Sequence, residues 1–296
     1  MAADGNSGGS SGYGIVPRQN LDFGLDGDIP RYWFGGDPFK TRFFDAMSTL
    51  FPEGEKFFIT CVRDYRERIT DPVLQQEVKD FMRQEGAHGM VHTQFNDRLK
   101  AQGIQVDRIE EQTRKILARI RGIMPRTFTL GQTAAAEHMT AIMAHSFFHR
   151  REVMEDADPR IRAMYAWHAV EEIEHKAVAY DVLTKVAKAG YFMRVLTMLY
   201  VSLLFPLHTF LIMSHMLKVD GFSWGQRAKI WVRGLWWLYK PGGLYLPVVP
   251  HYLSYFRPGY HPWQEGRMHS YELWVEAFTR TGDPIAAGNV LHAAGA

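Results

Sequence analysis

Two stretches, QEGAHGMVH at residues 84–92 and WHAVEEIEHKAVAYDV at residues 167–182, each hold a carboxylate three residues before an imidazole. The pairs are Glu85 with His88 and Glu172 with His175. On a helix, residues three apart share a face, so each pair aims both groups at one place. A lone Glu-x-x-His on a surface helix is usually a solvated face. Here the neighbours Phe81, Ala87, Trp167, Ala169 and Val170 are apolar, which argues for a buried face.

Working outward, the two stretches are halves of a repeat. Asp71, Pro72, Glu85, His88 and Gly103 recur as Asp158, Pro159, Glu172, His175 and Gly190, every pair offset by 87 residues. Each Asp-Pro is a cap residue followed by proline at the first helical turn, and each Gly is a helix stop. A single Glu before each long helix extends the pattern, Glu55 and Glu137, offset by 82. A duplicated helix pair explains this, each half giving a lone Glu and then a Glu-x-x-His.

Together the halves supply four carboxylates and two imidazoles. Four buried carboxylates are untenable without positive charge, and two divalent metals supply it. One Glu from each of two helices plus Glu-x-x-His from two others is the ligand pattern of ferritin-like dimetal bundles. Carboxylate and imidazole together suit iron or manganese better than copper; two iron ions are expected, with manganese or zinc as alternatives. Each half adds one histidine. His168 lies one turn before Glu172 on the same face, a candidate seventh ligand, and its repeat partner is Phe81. His92 lies one turn after His88, a further ligand or a hydrogen-bond partner for a carboxylate, and its repeat partner is Ala179.

The rest of the first 190 residues also reads as helix. Expected segments are Glu53–Arg68, Pro72–Gln102, Asp107–Arg121, Thr129–Glu155, and one long helix from Pro159 to just before Gly190. No strand or hairpin signal appears. The chain of 296 residues has a net charge of +2 and no basic stripe, so a nucleic-acid partner is not expected. One cysteine, Cys61, excludes an intrachain disulfide and a cysteine metal site. Residues 1–30 are expected to be a flexible tail, Gly/Ser-rich at its start and without signal-peptide features.

On the segments RYWFGGDPFKTRFFDAMSTLFPEGEKFF (31–58), QEGAHGMVH, AAAEHMTA (134–141) and WHAVEEIEHKAVAYDV, the chain resembles the bacterial family described as predicted metal-dependent hydrolases. That resemblance runs from about Arg31 to Trp263. At the level of ligands alone, Glu55, Glu85, His88, Glu137, His168, Glu172 and His175 also resemble the seven ligands of di-iron enzymes of the p-aminobenzoate N-oxygenase type. Those enzymes place an extra histidine one turn before the second Glu-x-x-His. This second resemblance implies oxygen activation and covers only the site.

Beyond Gly190 the character changes. Val195–Leu217 is 23 residues without Asp, Glu, Lys or Arg. At ~1.5 Å per residue it is long enough for a hydrocarbon core of ~30 Å. Ile230–Phe256 is apolar and rich in Trp and Tyr, but broken by Lys240-Pro241-Gly242-Gly243. Trp and Tyr beside Lys and Arg fit a membrane interface, in a monotopic rather than a crossing mode. Glu265, Arg267, Glu272 and Glu276 then return the chain to water.

The sequence-level expectation is therefore an all-α chain. It has a ferritin-like four-helix bundle with a dimetal site over 31–190 and an apolar, aromatic helical extension over 191–296. The leading functional expectation is a di-iron, oxygen-activating oxidoreductase acting on a hydrophobic small molecule or lipid, fed by an external electron donor. The alternatives are a metal-dependent hydrolase with a dimetal-activated water, and a ferroxidase-like iron protein. The expected setting is cytoplasmic, or peripheral on the inner face of a membrane, with a homodimer as a further way to cover the apolar region.

Overall fold

The structure is a computed structural model that describes residues 14–149, 153–264 and 269–294. Among these residues the chain is all-helical, and the only β pairing is an isolated bridge between Phe34 and Ala157. Residues 1–13 of the expected tail lie outside the described residues, as do Glu265 and Arg267. Residues 14–30 form no helix, yet Phe23 and Leu25 are buried in the core.

Four helices begin with a capping Asp and a first-turn Pro, the last of them at Asp283-Pro284. Helices α1 (Pro38–Ser48), α3 (Pro72–Ala101) and α6 (Pro159–His175) each have an Asp cap, Asp37, Asp71 and Asp158, whose side chain accepts from the first-turn N–H groups. Helix α1 was not among the sequence expectations, although Asp37-Pro38 carries the same start signal. Helix α2 (Phe51–Arg63) packs on α3; α4 (Val106–Ile123) follows, and α5 (Arg126–His149) packs on α6.

The long second-half helix does not run unbroken to Gly190, which corrects the expectation. It stops at His175, resumes as α7 (Val178–Asp181), and widens into a π-helical turn over Val182–Val186. There Ala187 N–H donates to Val182 C=O and Ala189 N–H to Leu183 C=O, so the hydrogen-bond step lengthens. No Gly or Pro marks this break. It coincides with tertiary anchors: Lys176 stands over the Trp263 ring at 5.0 Å, and Asp181 meets His261 at 3.0 Å.

Helix α8 (Tyr191–Val219) packs along α5 and α1. A buried bidentate pair, Arg42 to Asp220 at 2.6 and 2.8 Å, ties its C-terminal end to α1. Helices α9 (Trp224–Tyr239), α10 (Val249–Ser254), α11 (His269–Thr281) and α12 (Pro284–Ala294) complete the chain, with α12 against α6. The apolar core falls into two clusters. One contains Val91, Trp167 and Ile173, the other Phe81, Ala134 and Val178. Along both α3 and α6 the Glu-x-x-His lies at the seam between them.

Candidate metal centre

At that seam α2, α3, α5 and α6 deliver Glu55, Glu85 with His88, Glu137, and His168 with Glu172 and His175. All seven side chains are buried. Their donor atoms fall into three overlapping groups, each compact enough for one cation. These are Glu55 with His88 and His168; Glu85 with Glu137 and His175; and Glu85 with His88 and Glu172.

The distances describe two adjoining subsites. His175 Nε2 lies 3.1 Å from Glu85 Oε1, 3.2 Å from Glu137 Oε2 and 3.6 Å from Glu172 Oε2. His88 Nδ1 lies 3.8 Å from both Glu85 Oε1 and Glu172 Oε1, and His168 Nε2 lies 2.9 Å from Glu172 Oε1. Glu172 thus turns one oxygen to each subsite, and Thr140 donates a hydrogen bond to its Oε2. Donors that share one cation at ~2.0–2.2 Å stand roughly 3–3.5 Å apart, which these separations approach.

Three outer hydrogen bonds set the imidazole tautomers. Gln84 Nε2 donates to Glu174 Oε2 at 2.7 Å and to Val16 C=O at 3.3 Å, so its Oε1 accepts from His175 Nδ1–H at 2.9 Å. Glu171 Oε2 accepts from His88 Nε2–H at 3.1 Å. Asn96 Nδ2 donates to Ser48 C=O, and its Oδ1 accepts from Ser48 Oγ–H at 2.7 Å. Ser48 Oγ must then accept from His92 Nδ1–H at 2.8 Å, leaving His92 Nε2 to accept from His168 Nδ1–H at 2.7 Å. Each of His88, His168 and His175 therefore turns its other nitrogen to the carboxylates, the orientation expected of metal ligands held from outside. His92 faces His168 and not the carboxylates.

The polar atoms left without hydrogen bonds make the same point. Both oxygens of Glu55, Glu85 and Glu137, together with His88 Nδ1 and His175 Nε2, are buried and have no hydrogen-bond partner. Buried orphans are rare and costly, and here they converge on one place. Burial, joined by the neighbouring carboxylates, raises Glu55 and Glu137 well above the ordinary carboxylate range. Glu172 is held well below it by His175 and His168 despite burial, and His175 is held well above its usual value by Glu172 and Glu137. Burial keeps His88 and His92 neutral. A donor set of this kind fits divalent metal.

Sequence reasoning missed the outer layer. Glu171 and Glu174 bracket Glu172 in EEIE, and both are buried. Arg18 holds them, with NH1 3.3 Å from Glu171 Oε1 and NH2 2.7 Å from Glu174 Oε1, while Tyr271 donates to Glu174 Oε1 at 2.8 Å. Burial still pushes Glu171 up to about 7. The density of acids in that stretch was a visible signal; the distant partners were not.

An apolar cavity of about 140 Å³ reaches the centre from one side, touching Glu55, His168 and Glu172. Its walls come from α2, α4, α5 and α8, including Phe58, Leu117, Met139 and Leu204.

Helices carrying converging carboxylates and imidazoles define a helical protein with residues suited to a metal. The chain belongs to the family described as predicted metal-dependent hydrolase, whose family model matches residues 17–266. No curated protein and no solved structure matches the chain. The family match corrects the expectation of an oxygen-activating oxidoreductase. That expectation rested on the ligand set and on the long extension beyond the bundle, and Glu and His ligands serve water activation at paired metals as well as they serve oxygen chemistry. The match spans the site and the α8–α10 region together. Hydrolysis needs no electron donor.

Proposed function

We infer that the chain hydrolyses an ester or amide with a pair of divalent ions held between α2, α3, α5 and α6, arranged as a ferritin-like four-helix bundle. The observation that carries this reading is the convergence of three inward-facing imidazole nitrogens on four buried carboxylates. Glu55, His88 and His168 would hold one ion, Glu137 and His175 the other, with Glu85 and Glu172 shared between them. Iron or manganese suits these donors, and zinc is compatible. When bound, such ions polarise a carbonyl and lower the pKa of a water.

The remaining work falls to the chain. Gln84, Glu171 and the His92–Ser48–Asn96 relay keep the imidazole protons on the outward nitrogens. Thr140 orients the Glu172 carboxylate. The apolar walls of the cavity limit the water that reaches the substrate. In the reaction the water oxygen joins the acyl carbon, the ester or amide bond breaks, and the water protons go to the two products.

Metal analysis and an ester or amide screen test this directly. Two ions per chain are expected, with at least one lost in Glu85→Ala and in His175→Ala, and turnover equal in air and under nitrogen. Metal-free protein that is fully active, or turnover that requires oxygen, would overturn the reading.

A further inference from the structure

We propose that the cavity beside Glu55, His168 and Glu172 takes the hydrocarbon part of an amphiphilic substrate, and that α8 and α9 lie on the anionic lipid surface that supplies it. The proposal deepens the hydrolase reading and rests on it for the reaction alone.

The cavity comes first. A mainly apolar space of about 140 Å³ matches a hydrocarbon group of roughly benzene size, and has little to offer a sugar or a phosphate. It lies at the end of the metal centre that carries Glu55 and His168, so a chain seated there has its polar end at the carboxylates. Ile116 on α4 lines it and is 40% exposed, which marks a route to the outside.

The outer wall is α8, and its two sides differ. Tyr200, Leu204, Phe205 and His208 line the cavity, while Leu196, Leu199, Leu203, Leu207 and Leu211 are exposed along the other side. Five exposed leucines in one row are a contiguous apolar strip, and such strips mark interaction surfaces. By length and composition α8 is able to cross a membrane, yet its inner side packs along α5 and α1. A crossing would carry those helices, with the buried Glu137 of α5 and Asp45 of α1, into the bilayer. Lying along the surface does not.

Charge chooses the occupant. From Tyr191 to Gln264 the chain holds seven Lys or Arg and a single acid, Asp220, which is already bound to Arg42. Helix α9 joins α8 through Phe210 and Trp231, whose rings lie 5.2 Å apart. Its exposed face carries Lys229, Val232, Arg233 and Trp236, spaced three, four and seven residues apart. Cations, an aromatic and an aliphatic side chain on one exposed face suit anionic headgroups over acyl chains. A second copy of this chain would set the same cations against each other.

The test separates surface, chain and reaction. Full-length protein should sediment with vesicles of phosphatidylcholine and phosphatidylglycerol, much less with phosphatidylcholine alone, and salt should release it. Lys229→Glu/Arg233→Glu and Val232→Glu, all at exposed positions, should each cut sedimentation at least fivefold. Hexanoate, whose chain is of roughly benzene size, should bind the protein by calorimetry, and Leu117→Trp should weaken it tenfold with metal content unchanged. The proposal falls if the protein stays in solution with both vesicles as a monomer or a dimer, or if Leu117→Trp leaves hexanoate binding intact. Neither assay needs turnover, so binding without hydrolysis would remove the enzymatic reading while keeping this site, and hydrolysis without binding would do the reverse.

Discussion

Arg18 is set against the two acids that stand behind the metal-facing side chains of α6. It meets Glu171 and Glu174, its backbone N–H also donates to Glu171, and its guanidinium lies 5.3 Å from the Trp274 ring centre. Removing one partner of a buried ion network leaves the rest uncompensated, at a cost of roughly 3–5 kcal/mol. Arg18→Ala should lose that much by denaturant unfolding, and Arg18→Lys should lose less, since the charge stays and the fork does not. A loss under about 1 kcal/mol would mean that the acids find other partners. His92 gives a second test at this scale. Its Nε2 accepts from His168 and makes no approach to a carboxylate, so His92→Ala should weaken one ion by about 10–100-fold without removing its place. His168→Ala should remove a donor outright. Equal loss of one ion in both variants would show that His92 ligates.

Among the elements, α2 and α3 meet where glycine permits it. A Cβ on Gly89 would sit 3.1 Å from Glu55 Oε2, whereas a Cβ on Gly86 would meet nothing within 4 Å. Both lie inside α3, where Gly→Ala ordinarily stabilises a helix by roughly 0.5–1 kcal/mol. Gly86→Ala should therefore raise stability and leave metal content alone. Gly89→Ala should displace the Glu55 carboxylate and weaken the ion it faces, a difference readable by metal titration of the two variants side by side. This contact also shows where sequence reading stops. The spacing of Glu and His was legible because helical periodicity is local, and the Asp-Pro starts of α3 and α6 were legible for the same reason. The start of α1 at Asp37-Pro38 is equally local, but no metal-facing residue lies on that helix to draw attention to it. The break after His175 has no local cause, and the outer partners of Glu171, Glu174 and His168 come from positions 76 to 158 residues away in the chain. Such pairings depend on packing, and no periodicity announces them.

For the whole molecule, the metal centre decides stability as well as chemistry, because it sits at the seam where the two apolar clusters meet. Six carboxylate oxygens there have no hydrogen-bond partner, and neither do the two imidazole nitrogens that face them. Without cations the fold must keep these groups buried and uncompensated, or take up protons in their place. With cations each ion binds the folded state far better than the unfolded one. At a free concentration one hundred times its Kd, an ion adds about 2.7 kcal/mol to stability. Two ions at ~2–4 °C per kcal/mol amount to roughly 10–20 °C in Tm. Chelation should lower Tm by an amount of that order, and re-addition of metal should restore it in proportion to the logarithm of the metal concentration. Glu137→Gln removes a charge and a donor together, so it should respond less to chelation while unfolding at a similar temperature to the chelated parent. A Tm that neither chelator nor metal moves would show that the carboxylates are neutralised by protons alone, and the paired-ion centre would have to be given up.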